Sequence, residues 1–270
     1  MRLVSLSRLV QIIGYSLVLS VVCSIWISDV VADFKELQAV PSKQIRIKEK
    51  LDHLEHEFYR REIGDTYCYI CLPKGYDPKK KYPVFLGFHG YASIPEEVIV
   101  WWAEEASRLG VILVGVKSKK RGWDKQDKQN VFNLLVKLEK NYSVDVSNVF
   151  IFGYSSGANF ALYLGLNYPH KFKAIAAVAG SLLKADSYIG KTRLAKDDNK
   201  KLPVLLFIGM KDNSKRLECA RTSKTIFQKN GYDFIYKEFT NMAHSYNSIY
   251  TNEISKWIKS MLNARNGKID

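Results

Sequence analysis

A glycine-flanked serine lies near the middle of the chain, in a pattern that can support nucleophilic chemistry. Gly153–Gly157 reads G-x-S-x-G, and it lies between the apolar run Asn148–Phe152 and the start of a helical pattern. A sharp turn between a buried strand and a helix lifts a serine hydroxyl above the sheet edge, and glycines flank it because strand and helix approach closely there. Ser155 is therefore the candidate nucleophile. Ser156 lacks the symmetric glycine flanks and is a weaker candidate.

A serine hydroxyl at neutral pH needs a base to remove its proton and an acid to orient that base. Asp212 comes shortly after the apolar run Val204–Ile208, and His244 comes shortly after Phe234–Phe239. Catalytic groups of parallel sheets collect at the carboxyl ends of the strands. The chain order of serine, aspartate and histidine therefore predicts that Ser155, Asp212 and His244 form a catalytic triad.

Two backbone N–H groups are predicted to stabilise the negative charge on a carbonyl oxygen under attack. The apolar run Pro83–Phe88 leads into a His-Gly-Tyr turn, where one donor is expected, and the residue after the nucleophile supplies the other. We therefore assign the oxyanion hole to the amides of Tyr91 and Ser156. The ring of His89 is expected to brace this loop and not to transfer protons. The best substitute for the predicted acid is Asp186.

Strand and helix patterns alternate along most of the chain after residue 32. Strands separated by helices predict a mostly parallel sheet with helices on both faces, and Gly64-Asp65 between the first two strands indicates an N-terminal antiparallel hairpin. A polar, lysine-rich excursion is expected at Ala185–Leu202. The predicted strands are His56–Ile63, Thr66–Pro73, Pro83–Phe88, Val111–Val116, Asn148–Phe152, Ala174–Ala179, Val204–Ile208 and Phe234–Phe239, and the predicted helices are Glu96–Leu109, Asp127–Tyr142, Ser156–Asn167, Arg216–Asn230 and Tyr246–Leu262.

Aromatic residues accompany the motif segments. As a wall beside the nucleophile, they would suit aromatic acyl groups or sugar rings. The alternative for each of them is packing in the core. The residues assigned to substrate binding on this basis are Tyr154, Trp123 and Tyr246, and Tyr91 is a further candidate.

The composition is that of an ordinary globular protein with a basic balance. Of 270 residues, 47% are hydrophobic and 25% are charged, which excludes disordered, collagen-like and coiled-coil classes. Lys and Arg total 41 against 27 Asp and Glu, a formal net charge of +14. The lysine runs fit solvated loops, and the sequence contains no nucleic-acid-binding motif. The four cysteines match no zinc spacing. Neither a metal nor an organic cofactor is implied by the sequence.

The N-terminal residues carry the features of an export signal. Arg2 and Arg8 precede an uncharged stretch at residues 9–28, and small residues follow it. The stretch is also near the roughly 20 residues that span a bilayer, so an uncleaved membrane anchor is the alternative. We therefore expect a signal peptide or anchor at residues 1–32 and a single domain at residues 33–270. The protein is expected to be secreted or periplasmic, or attached to a membrane through residues 9–28.

A C-x-x-C pair occurs inside one of the predicted strands. Cys68 and Cys71 are three residues apart, so in a strand their side chains point to opposite faces. A thioredoxin-like role is therefore not expected. Whether Cys219 takes part in a disulfide is left open by the sequence.

Five segments in this order, FHGY, RGWD, VDVSNVFIFGYSSGANFALYLGLNYP, GMKD and NMAHSY, resemble the α/β-hydrolase superfamily. Within it, the chain is similar to secreted serine esterases of the polyhydroxybutyrate-depolymerase and feruloyl-esterase type. The resemblance runs from about Glu57 to Ile258 and implies an α/β-hydrolase fold. It also implies hydrolysis of a carboxylic ester through an acyl-enzyme. The chain departs from this type at Ile208, where a histidine is often found, at Tyr91, and in having no cysteine framework.

The sequence therefore predicts a serine esterase that acts on a small-molecule or polymeric ester. A serine peptidase using the same triad is one alternative, because the two differ only in pocket shape and leaving group. A hydrolase-like binding protein without turnover is another. The distances from His244 to Ser155 and to Asp212 distinguish this last alternative from an enzyme.

Overall fold

The computed structural model describes residues 49–51, 54, 56–195 and 200–266. Within these ranges, strands and helices alternate as predicted. The strands are β1 (Phe58–Ile63), β2 (Thr66–Cys71), β3 (Tyr82–Phe88), β4 (Ile112–Val116), β5 (Val144–Tyr154), β6 (Ala174–Val178), β7 (Val204–Gly209) and β8 (Phe234–Phe239). The helices are α1 (Glu96–Leu109), α2 (Asp127–Asn141), α3 (Ser156–Asn167), α4 (Leu182–Tyr188), α5 (Ser214–Lys229) and α6 (Ser248–Asn266), with a 3₁₀ turn at Pro169–Lys171.

The described strands form one sheet in the order β1-β2-β4-β3-β5-β6-β7-β8. β1 pairs antiparallel with β2 through a turn in which Gly64 has a φ of +59°, and β2 pairs antiparallel with β4. All other neighbouring pairs are parallel. The predicted α/β-hydrolase fold, with a mostly parallel sheet and an antiparallel hairpin at its N-terminal side, is confirmed. The parallel strands β3 to β8 therefore all end at one edge.

Each face of the sheet is covered by its own hydrophobic cluster. Buried residues of α2, α3, α4 and α5 pack on one face, and those of α1 and α6 pack on the other. Side chains alternate between the faces along each strand. Cys68 accordingly lies in one cluster and Cys71 in the other, and both are free thiols. The prediction that these cysteines point to opposite faces is confirmed.

The structure differs from the sequence expectation in the segment after β6. The polar excursion predicted at Ala185–Leu202 overlaps a helix, because α4 runs from Leu182 to Tyr188. The side chain of Ser181 caps this helix by accepting a hydrogen bond from the Lys184 N–H at 3.2 Å. Leu182 and Ala185 are its buried residues, and two apolar positions are too few to produce a visible helical period.

The predicted signal peptide or anchor at residues 1–32, including the stretch 9–28, lies outside the described residues. Among the helices that are described, none is both long and apolar enough to cross a bilayer.

Candidate active site

The turn between β5 and α3 holds the predicted nucleophile in a strained conformation. Ser155 has a φ of +54° and a ψ of −116°, a region that residues other than glycine rarely adopt. Its N–H donates to the carbonyl oxygen of Val178 at the end of β6, with an N···O distance of 2.8 Å. The turn is therefore tied to the neighbouring strand at the residue that carries the strain.

The two glycines of the G-x-S-x-G segment are required by close backbone contacts. A Cβ atom on Gly153 would overlap the carbonyl of Gly157, and a Cβ atom on Gly157 would overlap the carbonyl oxygens of Phe88 and His89. Strand β5, helix α3 and the loop after β3 therefore meet without room for a single additional carbon. The expected reason for the flanking glycines is confirmed.

The structure brings the three predicted triad side chains into one hydrogen-bonded chain. The Nε2 atom of His244 lies 3.0 Å from the Oγ atom of Ser155, and its Nδ1 atom lies 2.7 Å from Oδ2 of Asp212. Asp212 follows β7 and His244 follows β8, and the N–H of Lys211 donates to the Met242 carbonyl oxygen at 2.8 Å, which joins these two loops. All of these distances lie within hydrogen-bonding range.

Asp212 is held in its charged form by its neighbours. Its side chain is fully buried, and burial alone would raise the pKa of its carboxyl group. The hydrogen bond and charge of His244, the N–H of Asn213 at 2.7 Å and the guanidinium of Arg216 at 3.6 Å together lower the pKa of Asp212 below its usual value. A charged Asp212 accepts a hydrogen bond from the Nδ1–H of His244, which keeps that proton on Nδ1 and leaves Nε2 free to accept the proton of Ser155.

The loop of the predicted oxyanion hole is braced by His89, as expected from the sequence. The His89 ring is fully buried; its Nδ1 donates to the Gly90 carbonyl oxygen at 2.7 Å, and its Nε2 accepts from the Ser118 N–H at 3.2 Å. A Cβ atom on Gly90 would lie 3.9 Å from the Cβ of Ser155, so the loop lies directly beside the serine. The assignment of the Tyr91 and Ser156 amides as oxyanion donors stays a prediction.

The loop after β4 holds the oxyanion loop from outside. Trp123 donates its indole N–H to the His89 carbonyl oxygen at 2.8 Å, and the Ala92 N–H donates to the Arg121 carbonyl oxygen at 2.7 Å. Asp127 closes this outer loop because its two carboxylate oxygens accept from the N–H groups of Lys119 at 2.8 Å and Asp124 at 2.9 Å. Asp127 is 2% exposed, and burial raises the pKa of its carboxyl group.

The assignment of Trp123 to a substrate-binding wall is wrong. The indole is 4% exposed and stacks on Phe160 with 4.6 Å between ring centroids, inside the core beneath α3. The single polar atom of its side chain is used by the hydrogen bond to His89. Trp123 therefore supports the oxyanion loop from behind, and packing in the core, the alternative for this residue, is correct.

One aromatic ring lies beside His244 and packs against two others, one of which the sequence did not predict as part of the site. The Tyr154 ring lies 5.4 Å from the His244 ring, and it meets the Tyr246 ring edge-on at 5.8 Å. Trp101 of α1 stacks on Tyr246 with 4.0 Å between centroids and 15° between planes. The sequence does contain a signal for Trp101: it is one of two adjacent tryptophans on a helix, so the two rings point in different directions. Trp102 is the fully buried one.

The remaining predicted residues lie at the margin of the site or away from it. Tyr91 is 51% exposed, and the Arg121 guanidinium lies 5.6 Å from its ring centroid. The hydroxyl of Ser156 is buried and forms no hydrogen bond within the described part of the chain, in agreement with its rank as the weaker nucleophile candidate. Asp186, the substitute acid, is exposed and accepts from the Thr192 N–H and hydroxyl, both at 2.7 Å.

Comparison with known proteins gives one family match and many structural neighbours. The model of the Phospholipase/Carboxylesterase family matches residues 114–262, more than half of the chain. The acyl-protein thioesterase 1 of Gibberella zeae is 24% identical over 138 residues, which cover 51% of this chain and 58% of that protein. The chain thus spans less than two thirds of the length of this curated relative.

Solved esterases share the fold at low sequence identity. A hyperthermophilic esterase from Pyrobaculum calidifontis has a TM-score of 0.63 at 14% identity, over 83% of this chain and 92% of that one. A ferulic acid esterase from Anaeromyces mucronatus, solved in complex with ferulic acid, has a TM-score of 0.55 at 18% identity, over 77% and 91% of the two chains. The family match includes Ser155, Asp212 and His244. The chain belongs to the Phospholipase/Carboxylesterase family of α/β hydrolases.

Proposed function

We propose that this protein is a serine esterase that hydrolyses carboxylic esters through an acyl-enzyme. The observation that carries the proposal is the hydrogen-bonded chain from Ser155 through His244 to Asp212 at a strained strand-to-helix turn. A nucleophile in contact with a base that is itself oriented by a buried carboxylate is the arrangement that acyl transfer requires. The binding-protein alternative, by contrast, gives no reason for this alignment.

In the proposed reaction, Ser155 attacks the ester carbonyl while His244 removes its proton through Nε2. The negative charge on the carbonyl oxygen is received by the N–H groups of Tyr91 and Ser156, each of which we expect to contribute about 10²- to 10³-fold to the rate. His244 then protonates the departing alcohol. A water molecule, deprotonated by His244, then attacks the acyl carbon; the bond to Ser155 Oγ breaks, His244 returns the proton to Oγ, and the acid is released. Asp212 stabilises the imidazolium in both halves of the reaction.

For the acyl group, we propose an aromatic acid of the feruloyl class in preference to a polyhydroxybutyrate chain. The Tyr154 ring lies beside His244 and packs with the rings of Trp101 and Tyr246, and stacked or edge-on aromatic surfaces suit an aromatic acyl group. A second candidate is an acyl thioester, because the curated relative with 24% identity is an acyl-protein thioesterase. A peptide substrate for the same triad has no comparable observation in its favour.

The test is a substrate panel measured on the full chain and on two serine variants. The panel contains short- and long-chain nitrophenyl esters, methyl ferulate and an acyl thioester. We expect Ser155→Ala to lower kcat by about 10⁴- to 10⁶-fold on every active substrate. Ser156→Ala is the matched control, because it removes the neighbouring hydroxyl but keeps the backbone N–H, and it should retain nearly full activity.

Equal rates for the wild type and Ser155→Ala would contradict the proposal. A preference for methyl ferulate over aliphatic esters would support the aromatic acyl group, and a preference for the thioester would favour the second candidate.

A further inference from the structure

A basic groove lies on the outer surface of the helical layer formed by α2 and α3, and the proposed esterase function does not use it. Its walls come from the start of α2, the second half of α3 and the segment after α4, and it encloses about 610 Å³. This volume falls in the range of small-molecule sites, which is roughly 300–1,000 Å³. The groove is therefore large enough for an organic ligand and not only for an ion.

Four cationic side chains line this groove. They are Lys125 and Lys128 from the α2 side and Lys191 and Arg193 from the segment after α4. Among the described residues that line it, none is an aspartate or a glutamate. In the part of the chain that the structure describes, none of the four forms an ion pair with a carboxylate. Four like charges around one cavity repel one another, and an anion placed between them removes that repulsion.

The wall of the groove is preformed. Gly190 has a φ of +151°, which favours glycine, and a Cβ atom there would make a tight contact of 3.3 Å with the Tyr163 ring, so the chain passes close to α3 at this residue. The Asn167 side-chain amide donates to the Lys191 carbonyl oxygen at 3.2 Å. The N–H and the hydroxyl of Thr192 both donate hydrogen bonds to Oδ1 of Asp186 in α4. The segment that carries Lys191 and Arg193 is thus tied to α3 and α4 before any ligand binds.

Two tyrosines supply the remaining surface. Tyr163 is 7% exposed and forms part of the floor, and Tyr168 accepts a hydrogen bond at its hydroxyl from the Lys128 ammonium at 3.1 Å. The groove therefore combines ring surface, which contacts a carbon skeleton, with cations that recognise a charged group. This combination fits an organic molecule with one strongly anionic end.

We propose that this groove binds a phosphate monoester of a small polyol. A phosphate monoester carries about 1.5 to 2 negative charges at neutral pH and three acceptor oxygens, whereas a carboxylate carries one charge. Arg193 offers the planar pair of donors that matches phosphate, and the lysines act as point charges around it. A glycerol- or sugar-sized group then fills the part of the groove next to Tyr163.

The site is separate from the proposed active site. Tyr163 lies eight residues after Ser155 on the helix that begins at Ser156, which places it about 12 Å along the helix axis. The inference goes beyond the proposed function, since binding at this groove requires neither Ser155 nor His244. The phosphate group has two sources of identical chemistry, a soluble metabolite and a lipid headgroup, and the experiment separates them.

The test is isothermal titration calorimetry of the full chain with glycerol 3-phosphate, and with glycerol as the uncharged probe. We expect saturable binding of glycerol 3-phosphate only, which weakens as salt is added because the cations are solvent-accessible. The double variant Lys128→Gln/Arg193→Gln should weaken binding by about tenfold or more. The matched control is Lys79→Gln/Lys81→Gln, which removes the same charge from an exposed loop and should bind as the wild type does.

Sedimentation with phosphatidylcholine vesicles, with and without phosphatidic acid, tests the lipid source. Binding to phosphatidic acid vesicles that is lost in the groove variant but kept in the control also supports the proposal and identifies the lipid headgroup. Ser155→Ala should bind glycerol 3-phosphate and phosphatidic acid vesicles as the wild type does. A failure of the esterase test therefore does not affect the test of phosphate binding. The proposal is overturned if neither glycerol 3-phosphate nor phosphatidic acid vesicles bind, or if the groove and control variants lose binding equally.

Discussion

The two halves of the active site are positioned by different kinds of contact. On one side, Ser155 is held by backbone packing so close that Gly153 and Gly157 have no room for a methyl group. On the other side, Asp212 and His244 are aligned by side-chain hydrogen bonds, and the His244 side chain is 23% exposed. The first half is thus part of the folded core, whereas the second half is attached at the edge of the sheet.

Both halves have close backbone contacts, but they differ in the contacts of their catalytic side chains. The loops of the second half also approach closely, since a Cβ on Gly209 would overlap the Met242 carbonyl. The carboxylate and imidazole themselves, however, contact each other mainly through polar atoms. Changes in the nucleophile half should therefore reduce stability and activity together, whereas changes in the acid–base half should reduce activity with little loss of stability.

Among the changes that test this comparison, substitution of the acid should have the largest effect. Asp212→Asn keeps the size of the side chain but removes the charge that orients and stabilises His244. We expect kcat to fall by about 10³- to 10⁴-fold with little change in the midpoint of thermal unfolding. Asp186→Asn is the matched control, since Asp186 was the substitute acid in the sequence analysis, and it should keep its kcat. A comparable loss of kcat in Asp186→Asn would overturn the assignment.

The next effect tests the packing of the nucleophile half. Gly157→Ala places a methyl group on the carbonyl oxygens of Phe88 and His89, so we expect the free energy of unfolding to fall by about 3 kcal/mol or more. Gly75→Ala is the control, because Gly75 has no atom within 4 Å of the added carbon and only its φ of +71° opposes alanine. This costs about 1–2 kcal/mol. Similar losses in urea unfolding of the two variants would contradict the comparison.

A smaller effect should come from the support of the oxyanion loop. The carboxylate of Asp127 accepts hydrogen bonds from two backbone N–H groups. Asp127→Asn replaces one of its oxygens by an NH₂ group, so one N–H loses its acceptor and the outer loop that holds His89 and Ala92 is loosened. We expect kcat to fall by about 10- to 100-fold with little change in KM, because the loop acts on the developing oxyanion and not on the bound ester.

Asp124→Asn changes a carboxylate in the same outer loop whose contacts are local, to the Gln126 N–H and to Lys120. It should leave kcat nearly unchanged. A change in KM with constant kcat for Asp127→Asn would instead mean that Asp127 affects substrate binding.

The smallest effect concerns pH. Because the folded-state pKa of Asp212 is lowered, its contribution to stability is complete above the unfolded-state pKa of about 4 and is lost as the pH falls through the folded-state pKa. Arg216→Gln removes one of the positive charges that lower the pKa of Asp212, so the loss of stability on acidification should begin at a slightly higher pH. The shift should be only a few tenths of a pH unit, because Arg216 is 46% exposed and its charge is screened by solvent.

The measurement is the acid-unfolding midpoint by circular dichroism, with Lys215→Gln as a control of equal charge change at an exposed neighbour. A shift of the midpoint to lower pH, or equal shifts in both variants, would show that Arg216 does not act on Asp212.

The positions of Ser155, Asp212 and His244 could be predicted because each follows a segment that reads as a strand, a buried apolar run before Ser155 and Asp212 and the mixed segment Phe234–Phe239 before His244. Parallel strands end at one edge, so strand order alone brings such residues together. The role of Trp123 could not be predicted, because an aromatic residue between a glycine and a polar segment has no period that shows where its ring points. Asp127 left no signal either, since both partners of its side chain are backbone N–H groups.

The torsion angles of Ser155 have a consequence for engineering this protein. Glycine adopts a φ of +54° freely, whereas a serine there costs about 1–3 kcal/mol. Under the proposed function, activity and thermal robustness are therefore in direct trade-off at this one position. A mutant library selected only for heat resistance would enrich glycine at position 155 and yield inactive proteins. Selection for hydrolysis would have to accompany selection for robustness.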